Sequence, residues 1–194
     1  MICDVIDGLF DDLYLHERYQ ELLSTPLVLT NVANRKTQPY GNEGTHRLMG
    51  RTIFNRSSFN RVEELVPNSA WYFDVFEIIE QRIRNDLYLQ AIYVNVQYFG
   101  CDGTTHYDAD KDNEYTILVM TNPKWEEDWG GEFQLMKDFD SPIETHKYAP
   151  GRVVILPGAF PHRGLAPTKP YIYRTSIAYR IEIPEGERLT LLDD

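Results

Sequence analysis

His106 and Asp108 stand two residues apart in the segment Thr104-Thr105-His106-Tyr107-Asp108. In extended backbone such a pair points to one side, so an imidazole and a carboxylate can converge on one metal ion. A second imidazole, His162 in Pro161-His162-Arg163-Gly164, follows the apolar run Val153-Val154-Ile155-Leu156. Two histidines and one carboxylate with open coordination positions suit a non-haem iron(II) that activates oxygen. Taken alone, His-x-Asp is weak, because a surface histidine beside a turn aspartate gives the same string. A third feature adds weight. In Tyr171-Ile172-Tyr173-Arg174-Thr175-Ser176-Ile177-Ala178-Tyr179, strand alternation puts Ile172, Arg174, Ser176 and Ala178 on one face. An inward guanidinium needs an anion, since an unpaired buried charge is very costly. Arg174 either forms a structural pair with an internal aspartate or grips the far carboxylate of a dicarboxylic cosubstrate, with the Ser176 hydroxyl adding a bond.

These residues need a frame of strands to hold them. Residues 91–99, AIYVNVQYF, alternate cleanly: Ile92, Val94, Val96 and Tyr98 share one face, and Tyr93, Asn95, Gln97 and Phe99 the other. Further strands are predicted at 115–121, 131–136, 152–156 and 171–182. Turn signals separate them at Asn122-Pro123, Gly130-Gly131, Pro150-Gly151 and Pro157-Gly158. The first half reads as helix and loop. Leu15, Tyr19, Leu22 and Leu23 form one stripe over 11–24, and Tyr72, Val75, Phe76, Ile79, Ile83 and Leu87 form another over 70–88, capped by Asn68 or Ser69. A shorter helix is predicted at 59–66, behind Ser57 or Ser58. Residues 31–58 read as a long loop or a loose hairpin. Helices followed by many short strands predict an α+β, mainly β, chain: an antiparallel sandwich or barrel with helical support.

The chain of 194 residues suits one core, and 42% hydrophobic residues exclude a disordered chain. No apolar run is long enough to span a bilayer, and MICDVIDGLF is neither a secretory signal nor an Arg-rich transit peptide. Two cysteines, Cys3 and Cys101, are too few for a disulfide scaffold or a thiolate zinc site. An intracellular, cytoplasmic setting is expected. The net charge of −11 argues against general nucleic-acid binding. That charge is uneven: residues 31–61 hold six bases against Glu43 alone, a local net of +5, which leaves −16 elsewhere. Asp108-x-Asp110-x-Asp112-Asn113 opens like a calcium loop, but it lacks the glycine at position six and the glutamate at position twelve.

From Tyr98 to Ser176 the ordered motifs resemble an iron(II)- and 2-oxoglutarate-dependent dioxygenase of the prolyl 4-hydroxylase-like family. They run Tyr98, His106-Tyr107-Asp108, Asn122 and Trp125, Gly130-Gly131-Glu132-Phe133, Pro150-Gly151-Arg152-Val153-Val154, His162, and Arg174-x-Ser176. The resemblance covers residues 90–182, close to half the chain. It implies a double-stranded β-helix (jelly-roll, cupin-like) core over 91–183. Supporting N-terminal helices and the basic loop 31–58 would precede it within 1–90, a tail at 184–194 would follow, and the whole would be one domain. It implies that His106, Asp108 and His162 ligate Fe(2+). Arg174, assisted by Ser176, would hold the C5 carboxylate of 2-oxoglutarate, and Tyr98 would hydrogen-bond the cosubstrate. Collagen-type relatives carry Lys in place of Arg174, and a tyrosine of the oxygen-sensing type is replaced by Met120.

The implied reaction consumes O2, hydroxylates an unactivated C–H bond and releases succinate and CO2, with ascorbate as a reductant. Its implied substrate is a prolyl residue in a protein or peptide. A free amino acid or other small molecule is the alternative, and a catalytically inactive cupin-like binding protein is the alternative from a different class. No membrane partner is expected. In similar oxygenases a loop folds over the substrate, so Gln38–Arg56 is predicted to act as a lid.

Overall fold

A computed structural model describes residues 2–31, 47–56, 68–138 and 140–192. The elements run β1 (Asp4–Ile6), α1 (Asp12–Ser24), β2 (Val28–Asn31), β3 (Arg47–Asn55), α2 (Ala70–Glu80), β4 (Tyr88–Tyr98), β5 (Glu114–Met120), β6 (Phe133–Met136), β7 (Pro142–His146), β8 (Val153–Pro157), β9 (His162–Gly164) and β10 (Tyr173–Glu182). A 3-10 turn, Glu127–Trp129, precedes β6. Seven strands form one antiparallel sheet in the order β1-β8-β5-β10-β4-β3-β2, and three form a second in the order β7-β6-β9.

Strand alternation explains the layering. In the large sheet Ile92, Val94, Val96, Ile117, Val119, Val153, Ile155, Ile177, Tyr179 and Ile181 face one way and pack with the buried residues of both helices. Their sequence neighbours Leu118, Met120, Val154, Leu156 and Ala178 face the other way and pack with Phe133 and Leu135 of the small sheet. The result is helices, large sheet, small sheet, with His106, Asp108, His162, Arg174 and Ser176 around one cavity between the two sheets.

α1 starts where Asp11 accepts a hydrogen bond from the Tyr14 amide at 2.7 Å. It buries Leu15 and Leu22, two turns apart, while Leu23 stays exposed. The Thr25 hydroxyl meets the Tyr72 hydroxyl at 2.8 Å, and Tyr179 donates to the Tyr72 carbonyl at 2.8 Å. These bonds fix α1, α2 and β10 together.

Three sequence expectations change. α2 ends at Glu80, not 88. The chain beyond it pairs instead with the C-terminal segment: Arg84 donates to the Thr190 carbonyl, Leu192 donates to the Arg82 carbonyl, and Ile83 bridges Leu191. The helical stripe continues through Ile83, but backbone partners from the far end of the chain claim those residues. Second, of the long loop and the loose hairpin read over 31–58, the hairpin is the nearer: Arg47–Asn55 is strand β3, antiparallel to β2 over 47–50 and to β4 over 49–55. That part of the predicted lid therefore belongs to the body of the sheet, because its backbone groups are engaged by those strands. Residues 38–46 of the lid, and the helix predicted at 59–66, lie outside the described residues. Third, β1, β2, β7 and β9 join the sheets without having been predicted; β1 and β9, of three residues each, are too short for alternation to mark them.

Candidate active site

The two histidines meet through backbone pairing. His106 and His162 form an antiparallel bridge, each amide donating to the other's carbonyl at 3.0 Å. Directly opposed residues in such a pair project to the same face, and the rings lie 4.5 Å apart. Asp108 is brought in by its own amide, which donates to the Gly158 carbonyl at 2.8 Å. A glycine is needed at 158 because an added Cβ would sit 2.8 Å from the Ala109 Cβ and 3.2 Å from the Glu114 carbonyl oxygen.

The ligand atoms of His106, Asp108 and His162 all lie within 4.8 Å of one another. The His106 Nε2 is 3.8 Å from Asp108 Oδ1, and the His162 Nε2 is 3.4 Å from Asp108 Oδ2. His106 Nδ1 faces the Thr104 carbonyl at 2.7 Å, and His162 Nδ1 faces the Phe160 carbonyl at 2.8 Å. A carbonyl can only accept, so each Nδ1 carries the proton and each Nε2 keeps its lone pair toward the cluster. Thr116 donates to Asp108 Oδ2 at 2.6 Å and fixes the carboxylate. Burial alone pushes the Asp108 carboxyl up. When the imidazoles are protonated, the charge and hydrogen bonding of His162, then the charges of His106 and Arg180, outweigh it and hold the carboxyl well below the usual range.

Arg174 lies in the same cavity, only 2% exposed. Its Nε donates to the Gly131 carbonyl at 2.9 Å, and its Nη1 to Gln97 Oε1 at 2.8 Å. Gly131 has φ +80°, and an added Cβ there would meet Trp125 at 2.8 Å and the Arg174 Cδ at 3.3 Å. The Arg174 Nη2 is buried and has no partner, and the Ser176 hydroxyl is in the same condition. Among the described residues no carboxylate pairs with Arg174, so the internal Arg–Asp pair weighed from the sequence is not what the fold builds. Burial lowers the pKa of the guanidinium, against smaller opposing effects of Tyr148 and Glu132. A buried cation with a free donor beside a free hydroxyl is a cradle for a small anion.

Tyr98 is not in this cradle. Gln97 turns its side chain into the cavity, so Tyr98, the next residue, turns out of it. The cavity, about 230 Å³, is lined on the β4 side by Tyr93, Asn95 and Gln97. These are the β4 residues on the face opposite to Tyr98. Sequence reasoning also missed Thr116 and Arg180. Arg180 was within reach, because the alternation that placed Arg174, Ser176 and Ala178 on one face puts it there too. Met120 is fully buried in the core behind the cavity.

Residues 93–181 match the profile of the 2OG-Fe(II) oxygenase superfamily. Those residues carry the profile of that superfamily, and the fold around them is the double-stranded β-helix of those enzymes. Comparison with curated protein sequences returns no match. Among solved structures, the chain is similar to an oxidoreductase of the 2OG-Fe(II) oxygenase family from Burkholderia pseudomallei. That pair is 17% identical over 93% of this chain and 85% of that one, with a TM-score of 0.70. A prolyl-4-hydroxylase from Pseudomonas putida is 12% identical over 93% of this chain and 92% of that one, with a TM-score of 0.57. The alpha-ketoglutarate-dependent epimerase SnoN from nogalamycin biosynthesis is 10% identical over 100% of this chain and 89% of that one, with a TM-score of 0.59. At these identities the likeness is one of fold.

Proposed function

We propose that this chain is a 2-oxoglutarate-dependent hydroxylase acting on a prolyl residue presented in a protein or peptide. The observation that carries the cosubstrate assignment is the buried, unpartnered pair of Arg174 Nη2 and Ser176 Oγ in one cavity with the His106–Asp108–His162 cluster. The donor set of two neutral imidazoles and one carboxylate fits iron(II). Bound there, iron(II) supplies the coupling of O2 reduction to C–H hydroxylation, with 2-oxoglutarate leaving as succinate and CO2.

The protein's own part is to bind, orient and exclude water. Nδ1–H bonds to Thr104 and Phe160 hold both imidazoles in the ligating tautomer. Thr116 orients Asp108. Arg174 and Ser176 anchor the far carboxylate of the dicarboxylate, which sets its reacting end toward the histidines. Leu118, Phe133 and Ala178 give the cavity an apolar wall. A cavity of about 230 Å³ falls below the range of ~300–1,000 Å³ that encloses a drug-sized ligand. After a compact cosubstrate there is room for one reacting group, and the rest of a peptide would lie outside. That room fits a single prolyl residue of a chain held outside.

A second reading is favoured by Arg180. Its Nε is buried without a hydrogen-bond partner, while its Nη1 stands 3.9 Å from Asp108 and its Nη2 4.0 Å from Glu114, ion-pair distances too long for hydrogen bonds. A free amino acid or another small anionic substrate would give it one. The two readings separate in one assay, with ascorbate as the proposed reductant. Succinate formation and a gain of one oxygen atom on proline-containing peptides support the first. Turnover confined to free amino acids or small acids installs the second. Succinate formation that survives His106→Ala removes the iron assignment. The reading takes a reducing cytoplasm as its setting; both cysteines are free thiols. Among the described residues no helix is long and apolar enough to cross a membrane.

A further inference from the structure

Away from the cavity, three metal-ligating side chains of different chemistry meet where the edges of the two sheets come together. Cys3 lies just before β1, the edge strand of the large sheet, and Glu144 and His146 lie on β7, the edge strand of the small one. Glu144 and His146 are two apart, so they share a face of the strand. The Cys3 Sγ is 3.0 Å from His146 Nε2 and 3.6 Å from Glu144 Oε1, and Nε2 and Oε1 are 3.0 Å apart.

We propose that Cys3, Glu144 and His146 form a second metal site, a mixed sulfur–nitrogen–oxygen site for Zn2+, that ties β1 to β7. The spacing has the right scale. Zinc bonds of about 2.3 Å to sulfur and about 2.0–2.1 Å to nitrogen and oxygen, in a tetrahedron, put ligand atoms roughly 3.3–3.6 Å apart. The donor set is right for a borderline cation and wrong for a hard one such as Mg2+ or Ca2+. The second carboxylate oxygen of Glu144 accepts from the Ile2 amide at 3.3 Å, which leaves Oε1 as the ligand atom. Cys3 is 2% exposed and packs among Leu118, Phe133, Leu135 and Tyr148, so its sulfur is shielded from oxidants. His146 and Glu144, with side chains 13% and 22% exposed, give an ion its way in. A thiolate and a carboxylate bring two negative charges to one point, and a dication balances them. The cysteine count excluded a multi-thiolate zinc site, whereas a mixed site needs only one sulfur. Three protein ligands leave a fourth position for water.

Cobalt(II) is the probe, because a thiolate ligand gives it a near-ultraviolet charge-transfer band that a His/Asp/His site cannot give. The measurement is made on the full chain carrying His106→Ala and His162→Ala, so that the cavity cluster does not compete. We expect one bound cobalt per chain, the sulfur band, and its bleaching by stoichiometric zinc. Adding Cys3→Ser or, separately, His146→Gln is expected to abolish the band. Circular dichroism and thermal melts of each variant show that it is folded. Retention of the band in Cys3→Ser would assign the sulfur to Cys101 and overturn the proposal. Absence of both the band and bound cobalt in the folded His106→Ala/His162→Ala protein would overturn it too, and would mean that the three side chains are only hydrogen-bonded.

Discussion

Arg174 is the residue at which the cosubstrate assignment can be put to a number. Of its three nitrogens two are taken, Nε by the Gly131 carbonyl and Nη1 by Gln97, and only Nη2 is free for a ligand. Losing a buried charge-assisted partner costs about 2–5 kcal/mol. With one free nitrogen, about 3 kcal/mol is expected, or roughly a 150-fold weaker Kd for 2-oxoglutarate in Arg174→Met. Arg174→Lys keeps the charge but loses the fork, so roughly a tenfold loss is expected. Ser176→Ala removes one bond to an anion, about 1.5 kcal/mol, or again roughly tenfold. If both side chains hold the same carboxylate, Arg174→Met/Ser176→Ala together lose less than the sum.

Stability is a poor readout at this position. Arg174→Met removes a buried unpaired cation but strips donors from Gly131 and Gln97, and the two effects oppose each other. Binding is the readout instead, by anaerobic calorimetric titration of 2-oxoglutarate into protein loaded with manganese(II). An Arg174→Met protein that is folded and binds 2-oxoglutarate within threefold of wild type would refute the reasoning, because the buried guanidinium would then have some other purpose.

Four further outcomes are expected. Thr116→Val removes the 2.6 Å bond to Asp108 and should weaken iron affinity about 10- to 100-fold in a competitive chelator titration. Gly158→Ala drives a methyl against Ala109 and the Glu114 carbonyl beside Asp108. At about 1–3 kcal/mol, it should lower the Tm by several degrees and iron affinity with it. Tyr148→Phe should destabilise by about 2 kcal/mol, or roughly 4–8 °C in a thermal melt. Its buried hydroxyl accepts from the Asn122 amide and lies 2.7 Å from both Asn122 Oδ1 and the Thr175 carbonyl. Arg180→Ala should leave the 2-oxoglutarate KM within about twofold, yet raise KM about tenfold for any substrate that carries an anionic group, as steady-state succinate assays would show.

Where a segment's neighbours in sequence decide its structure, the residues alone were enough. The alternation of AIYVNVQYF shows in β4, and the Leu15–Leu22 stripe shows in α1 with Asp11 as its cap. Where a distant segment decides, the same rules misled. The stripe of α2 runs on through Ile83, but residues 82–84 pair with 190–192. Residues 47–55 read as part of a long loop or a loose hairpin; β2 pairs with 47–50 as a hairpin would, and β4 pairs with 49–55 and makes the rest strand. Tyr98 carried the motif match, and the cavity took Gln97. Only the partner across the strand pair, Arg174, reveals which face of β4 is inward.

The types and order of His106, Asp108, His162 and Arg174 were written in the sequence, and so was the chemistry they suit, because donor chemistry belongs to the side chain itself. Their convergence was not. His106 and His162 come from separate parts of the chain and meet through two backbone hydrogen bonds that no local pattern encodes. The chain also could not declare that Arg174 lacks a carboxylate partner among the described residues, or that Cys3 lies beside His146. Such facts depend on which groups are absent from, or present in, a surrounding shell, and that shell is assembled from strands distant in sequence.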